Sequence, residues 1–446
     1  MQILLKGARV FIGDKFQNAD ILIEDGRIVS ISDGHASSCP FEAGNTDGNA
    51  GSDGVSVYDL TNKYVFPGFV DVHVHFREPG FSYKETIETG SQAAAAGGYT
   101  DVCAMPNLKP VPDSAETLRE ELDAIERGAV VNVHPYGSIT KEEKGEELSN
   151  LEGMAADVIA FSDDGRGVAS ADMMREAMKR AKALNKLIAA HCEDMTCIGG
   201  SRFNQGRLSF MFGSRGISSE SEWKMVERDI GLARETGCRY HVCHVSTKES
   251  VELIRKAKAE GIDITCETAP HYLLLEENVI ADSIMRDRLS PALLGKYKMN
   301  PPLRAKEDME AVRAGLLDGT IDMIATDHAP HSDAEKALGL MSGPMGVVGL
   351  ECAFPVLYTE MVKKDIISLE ELVRLMTYVP AARFGIECGI EAGREAKLCV
   401  YDLDENYTVD PSEFKSKGRY TPFEGYEVYG RCLMTICGEK VYKYGE

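Results

Sequence analysis

Over the first 65 residues, apolar and polar side chains alternate in short runs. ARVFIG, ADILIEDGRIVSI and VSVYDLTNKYVF follow a two-residue period with Asp-Gly turns between them, which predicts strands. The stretch between Asp33 and Gly54 is rich in Gly, Ser, Asn and Asp and reads as a surface loop inside this β unit. The C-terminal segments AKLCVYDL and EVYGRCLMTICGEKVYKYGE return to the same texture. Residues 1–65 and 385–446 are therefore expected to build one small β-sandwich domain from both termini.

Between residues 66 and 384 the rhythm changes. Short apolar strands are expected to begin near Phe66, Tyr99, Val130, Asp157, Leu187, Arg239, Asp263 and Asp322, with helical stretches between them. Eight such units predict an α/β fold built on a (β/α)8 TIM-type barrel, typically about 250 residues long. A doubly wound open sheet would also alternate strand and helix, but would not need eight units.

Composition narrows the function. Hydrophobic residues make up 43% and charged residues 27%, an ordinary globular profile rather than a disordered one. With 49 Lys+Arg against 71 Asp+Glu the net charge is −22, a field that repels nucleic acid and anionic membranes. The 12 cysteines form no CxxC pair and are expected to be reduced and mostly buried. The N-terminal MQILLKGARVFIGDKF is interrupted by charge, unlike a signal peptide, and no apolar run approaches the ~18 residues of a membrane helix. These features point to a cytoplasmic protein.

Polar residues collect at the C-terminal ends of the predicted strands, where barrel active sites are built. Strand 1 ends in DVHVHFR, and strict alternation would put Asp71, His73, His75 and Arg77 on one face, opposite Val72, Val74 and Phe76. Strand 4 ends in FSDDG, strand 5 in AAHCED with His191, and strand 6 in HVCHVS. On an extended strand 6, His241 and His244 would face opposite ways, so only one would point inward. Strand 8 ends in IATDHAPH, where Asp327 and His331 share a parity that His328 does not. Any one histidine is more often structural than a ligand, but histidine or aspartate recurs at the same end of five strands. Nitrogen and oxygen donors without thiolates suit zinc, manganese or a related divalent ion. Cys192 and Cys243, of opposite parity to His191 and His244, read as buried thiols rather than nucleophiles. No phosphate loop, HExxH helix or GxSxG elbow occurs.

FPGFVDVHVHFREPG, AMPNLKP, FSDDG, AHCED, HVCHVST, ETAPHYL, MNPPLR, TDHAPH and GPMGVVGLE follow one another along the barrel. Together they resemble the class I dihydroorotases of the amidohydrolase superfamily. SKGRYTPFEGYEVYGR resembles that family's end, and only the loop at 35–56 has no obvious counterpart. The resemblance implies zinc, two ions per subunit. His73, His75 and Asp327 would hold one, His191 and His244 the second. An aspartate would bridge them where the superfamily usually has a carboxylated lysine. Asp164 is expected in that role rather than Asp163, because it shares strand parity with Ser162 and Ala160 and because the resemblance implies an aspartate 27 residues before the strand-5 histidine. Arg77, Asn107 and His331 would meet the substrate carboxylate, Asn300 with the Met345-Gly346 backbone would meet the ring, and His75 is also expected among the substrate-binding residues.

The implied activity is metal-assisted, reversible hydrolysis of the cyclic amide of dihydroorotate to N-carbamoyl-aspartate, in pyrimidine biosynthesis. Asp327 would be the catalytic proton carrier. The partners implied are the small-molecule substrate and a second copy in a homodimer. Two alternatives stand beside this reading. Another cyclic amidase, allantoinase or hydantoinase, would carry a lysine bridge, and allantoinases typically have Asn in place of Arg77. A non-catalytic scaffold homologue would have eroded ligand positions, whereas all six are intact.

Overall fold

The computed structural model describes residues 1–33, 55–200, 202–285 and 293–444. The predicted loop therefore lies, apart from its last residues, outside the described chain. Strands β1 (Gln2–Ile12), β2 (Lys15–Glu24), β3 (Arg27–Asp33), β4 (Val55–Asp59) and β5 (Tyr64–Pro67) come first. The central strands are β6 (Phe69–Val74), β7 (Tyr99–Ala104), β8 (Asn132–Pro135), β9 (Gly137–Ser138), β10 (Phe161–Ser162), β11 (Ile188–Ala190), β12 (Tyr240–Val242), β13 (Ile264–Thr268) and β14 (Met323–Ile324). β15 (Lys397–Thr408), β16 (Glu427–Cys437) and β17 (Lys440–Lys443) end the chain.

The outer strands form one continuous sheet in the order β17-β16-β15-β5-β1-β2-β3. The long β1 shares one edge between β4, along Gln2–Lys6, and β5, at Arg9 and Val10. The alternating apolar residues that predicted these strands, among them Ile3, Leu5, Val10, Ile21, Leu398, Val400 and Ile436, form a core of their own. Strands from both termini supply that core, as their shared texture implied.

The central strands are parallel and run β6-β7-β8, then β9 through β14. β8 and β9 are one barrel strand interrupted at Tyr136, whose amide donates to Ala104 O and whose hydroxyl donates to Val72 O. The barrel closes where Val74 bridges to His328 and the His75 amide donates to His328 O at 2.8 Å. The first barrel strand starts later than expected, because Phe66 and Pro67 belong to β5. Gly68 marks the handover, since a Cβ there would sit 2.1–2.7 Å from the Thr100 side chain.

Strict alternation also fails in β6. Its pairing with β7 slips between Asp71 and Val74. Val70 and Val72 consequently join a cluster drawn from strands around the barrel, including Cys103, Ala189, Met323 and Ala325, while Val74 and Phe76 pack in the larger core shared with the helices. The slip lets an apolar plug fill the barrel below the strand tips while His73 and His75 still point into it.

Sheet and barrel are tied by a buried charge. Asp101 of β7, fully buried, accepts from Lys397 Nζ of β15 at 2.9 Å, with His134 Nε2 3.0 Å away. Removing one partner of a buried pair strands the other charge. Lys397→Met should therefore destabilise the protein by about 2–4 kcal/mol in denaturant titration. A loss near zero would show that His134 suffices.

Candidate active site

Five strand tips converge on one point. His73 is on β6 and His75 just beyond it, Asp164 follows β10, His191 follows β11, His244 follows β12 and Asp327 follows β14. All six are buried. Asp164 Oδ1 lies 3.4 Å from His73 Nε2 and 3.7 Å from both His191 Nδ1 and His244 Nε2, while Oδ2 lies 3.5 Å from His75 Nε2. Asp327 Oδ1 is 3.2 Å from His75 Nε2 and 3.6 Å from His73 Nε2. His191 Nδ1 and His244 Nε2 face each other at 2.9 Å. Asp164 thus stands between two histidine pairs. Arg77, His244 and Asp327 hold positive φ values of 62°, 35° and 50°, strain of order 1–3 kcal/mol each that the surrounding contacts must maintain.

The donor set fits a divalent cation. His73 Nε2 and Asp164 Oδ1 are buried without hydrogen-bond partners, although they face each other, as atoms that share an ion would. Donor atoms of His73, His75 and Asp327, and of His73, Asp164 and His244, cluster closely enough to bind one. Burial opposes charge on Asp164, but His73 and His244 outweigh it and hold the carboxyl well below its usual range. Asp327 is likewise held down against burial by its hydrogen bond to His75 and by His73.

Glu267 of β13 organises the wall behind. It is 1% exposed and its Oε1 accepts from His73 Nδ1 at 2.6 Å, which leaves the His73 Nε2 lone pair facing the centre. Its Oε2 lies 3.1 Å from His241 Nε2, and Oε1 also accepts from the His244 amide at 3.4 Å. Both strand-6 histidines thus point inward, contrary to the alternation expected. β12 ends at Val242, and the left-handed turn at His244 brings its ring back into the barrel.

The neighbouring polar residues divide sharply. Asp163 turns away, accepting from the amides of Ile139 at 2.7 Å and Thr140 at 3.0 Å and from the Thr140 hydroxyl. His328 also turns away, its Nδ1 accepting from the Gly349 amide. Cys192 and Cys243 are buried, and burial pushes the Cys243 thiol up to about 12. Cys243 does approach His73 and Glu267 closely, which parity alone did not anticipate.

A cavity of about 650 Å³ opens above the centre. Arg77, Asn107, Asn300, His331, Met345 and Gly346 all line it. Asn107 Oδ1 meets His75 Nδ1 at 2.9 Å and accepts from Arg77 Nη1 at 3.4 Å. Asn300 Nδ2 reaches His191 Nε2 at 3.3 Å. Both nitrogens of His331 are engaged, Nε2 with Met345 O at 2.8 Å and Nδ1 with Lys84 Nζ at 3.2 Å. Burial, then Arg77 and Lys84, push its pKa down to about 2, so the ring is neutral. Sequence reasoning passed over Glu193, Arg166 and Arg202, which also line the cavity, and Glu267, whose signal was a charged residue inside the apolar strand ITCET.

A metal-type histidine–aspartate centre at the C-terminal mouth of a (β/α)8 barrel, with a β-sandwich from the termini, defines an amidohydrolase. The L-hydantoinase (dihydropyrimidinase) of Arthrobacter aurescens shares this fold with a TM-score of 0.83 and 28% identity, covering 100% of this chain and 96% of its own. A Thermus D-hydantoinase aligns with a TM-score of 0.79 and 27% identity over 100% and 97%. A family model described as "Dihydro-orotase-like" matches residues 62–250. The dihydroorotase of Fusobacterium nucleatum is 46% identical over 98% of each chain, and that of Bacillus cereus 46% over 99% of this chain and 98% of its own. The chain belongs to the dihydroorotase family.

Glu267→Gln should weaken divalent-ion affinity about 10- to 100-fold, measured by competition with a chromophoric chelator, because the His73 tautomer is no longer fixed. Unchanged affinity would reduce Glu267 to a packing role. Asp164→Ala should lose at least one metal equivalent, whereas Asp163→Ala should keep its metal and instead lose about 2–4 kcal/mol of stability from two stranded amides. Metal loss in the Asp163 variant alone would reverse the assignment.

Proposed function

We propose that this protein is a zinc-dependent dihydroorotase that reversibly hydrolyses the cyclic amide of dihydroorotate to N-carbamoyl-aspartate, a step of pyrimidine biosynthesis. The observation that carries the reading is the placement of Arg77 and Asn107 beside His75 at the wall of the buried histidine–aspartate centre. A guanidinium with adjacent amide donors suits a substrate with a carboxylate next to its scissile ring. Hydantoin hydrolysis is the second reading, favoured by the fold neighbours. Hydantoin carries no carboxylate for Arg77.

In this reading His73, His75 and Asp327 would hold one zinc ion and His191 and His244 the second, with Asp164 as the carboxylate available to both. Bound there, the ions supply Lewis-acid activation of water and of the amide carbonyl. Arg77 and Asn107 fix the substrate carboxylate, and His331 joins them once its Nε2 exchanges Met345 O for that anion. Asn300 and the Met345-Gly346 backbone orient the ring. Asp327 takes the proton of the attacking water on its carboxylate and returns it to the ring nitrogen as the C–N bond breaks. The water hydroxyl ends on the carbonyl carbon, so the balance closes, and the reverse path closes the ring.

We further propose a cytoplasmic homodimer organised as a barrel over 66–384 with 1–65 and 385–446 in the sandwich. Among the described residues no helix is long and apolar enough to cross a membrane.

Assays on dihydroorotate, hydantoin and allantoin should show hydrolysis of dihydroorotate far above the others. Arg77→Met should lower kcat/KM for dihydroorotate by about 2–4 kcal/mol while leaving metal content intact. Preferential hydantoin turnover, or an unchanged kcat/KM in the variant, would overturn the substrate assignment.

A further inference from the structure

Lys336 ends a short helix, Asp333–Lys336, outside the histidine–aspartate centre. It is 1% exposed, one of the largest fully buried side chains. Its Nζ donates to Lys298 O at 3.1 Å, Pro344 O at 3.3 Å and Gly346 O at 2.6 Å. These three acceptors match the three hydrogens of its protonated form. Among the described residues, no carboxylate pairs with it. Burial, with Lys298 nearby, pushes its pKa down to about 7, and an unbranched apolar side chain would fill the same space without burying a polar group. The buried amine and its three carbonyl partners therefore need a reason beyond packing.

We infer that Lys336 is a positioning residue that clamps together the two loops holding the substrate ring. One accepting carbonyl lies two residues before Asn300, and the other two flank Met345. The Gly346 amide donates to the same Lys298 carbonyl at 2.9 Å, so the loops meet at that atom. Lys336 draws the carbonyls of Pro344 and Gly346 away from the cavity, whereas Met345 O faces His331 Nε2. Alternate peptides thus point opposite ways, and Lys336 sets which ones the substrate meets. Buried Lys298 adds a second tie, its Nζ donating to Met341 O at 3.1 Å. Gly346 completes the turn at φ 138°, where a Cβ would come within 2.6 Å of Ala329 O and 3.0 Å of His331 Nε2.

This inference rests on the proposed contacts of Asn300 and Met345-Gly346 with the dihydroorotate ring, so its test has one arm that needs no substrate. Lys336→Met and Lys336→Gln are compared with wild type by hydrogen exchange, metal content and steady-state kinetics on dihydroorotate. Exchange should accelerate in 295–303 and 339–348 and not elsewhere, with metal content unchanged. KM should rise on the order of tenfold with kcat within about threefold, because a contact made equally in ground and transition states is lost. The Gln variant, which keeps two donors, should fall between. Unchanged exchange or unchanged KM would overturn the clamp. So would joint loss of fold and metal in both variants, which would make Lys336 a general stability element. If wild type fails to turn over dihydroorotate, the substrate reading fails, and the exchange arm still decides the clamp.

Discussion

Burying three carboxylates against five imidazoles at one end of a closed barrel is the constraint from which the rest of the site follows. Asp164, Asp327 and Glu267 are each nearly excluded from solvent, and an isolated carboxylate there would be protonated rather than charged. They stay ionised because His73, His75, His191, His244 and His241 surround them. Asp164 and Asp327 both face His73 Nε2 and His75 Nε2, a convergence of donor atoms that a shared divalent cation would hold together. Left-handed backbone at His244 and Asp327 is the cost of aiming both residues at the same point.

The scaffold holds this geometry from outside. Barrel closure at Val74 and His328 sets β6 against the end of β14, which brings His75 to Asp327. His328 turns from the cavity and is fixed by Glu85 and Ser416, the latter on a C-terminal excursion that leaves the terminal sheet after β15. Glu351 anchors the same excursion by accepting from the amides of Lys415 and Ser416. The terminal domain thereby supports a strand tip that carries chemistry.

Much of this was legible in the chain. Hydrophobic periodicity located all eight barrel strands to within a few residues, and the recurrence of His and Asp at strand ends marked the mouth. Parity distinguished Asp163 from Asp164, and the structure turns Asp163 to the Ile139 and Thr140 amides and Asp164 to the histidines. Parity failed for Val72 and for His241 with His244, where a register slip and a left-handed turn break the two-residue period. Glu267 and Lys336 act through contacts distant in sequence: Glu267 is 194 residues from His73, and Lys336 meets Lys298 38 residues back. No local pattern encodes such partners.

The central claim is that a zinc-loaded centre organised by Asp164 performs the hydrolysis of dihydroorotate. The most direct measurement is stepwise addition of Zn²⁺ to metal-stripped protein, with bound metal and dihydroorotate turnover followed together. The account predicts no turnover without metal and a rise that saturates at two equivalents per chain. Full turnover by the stripped protein would contradict it.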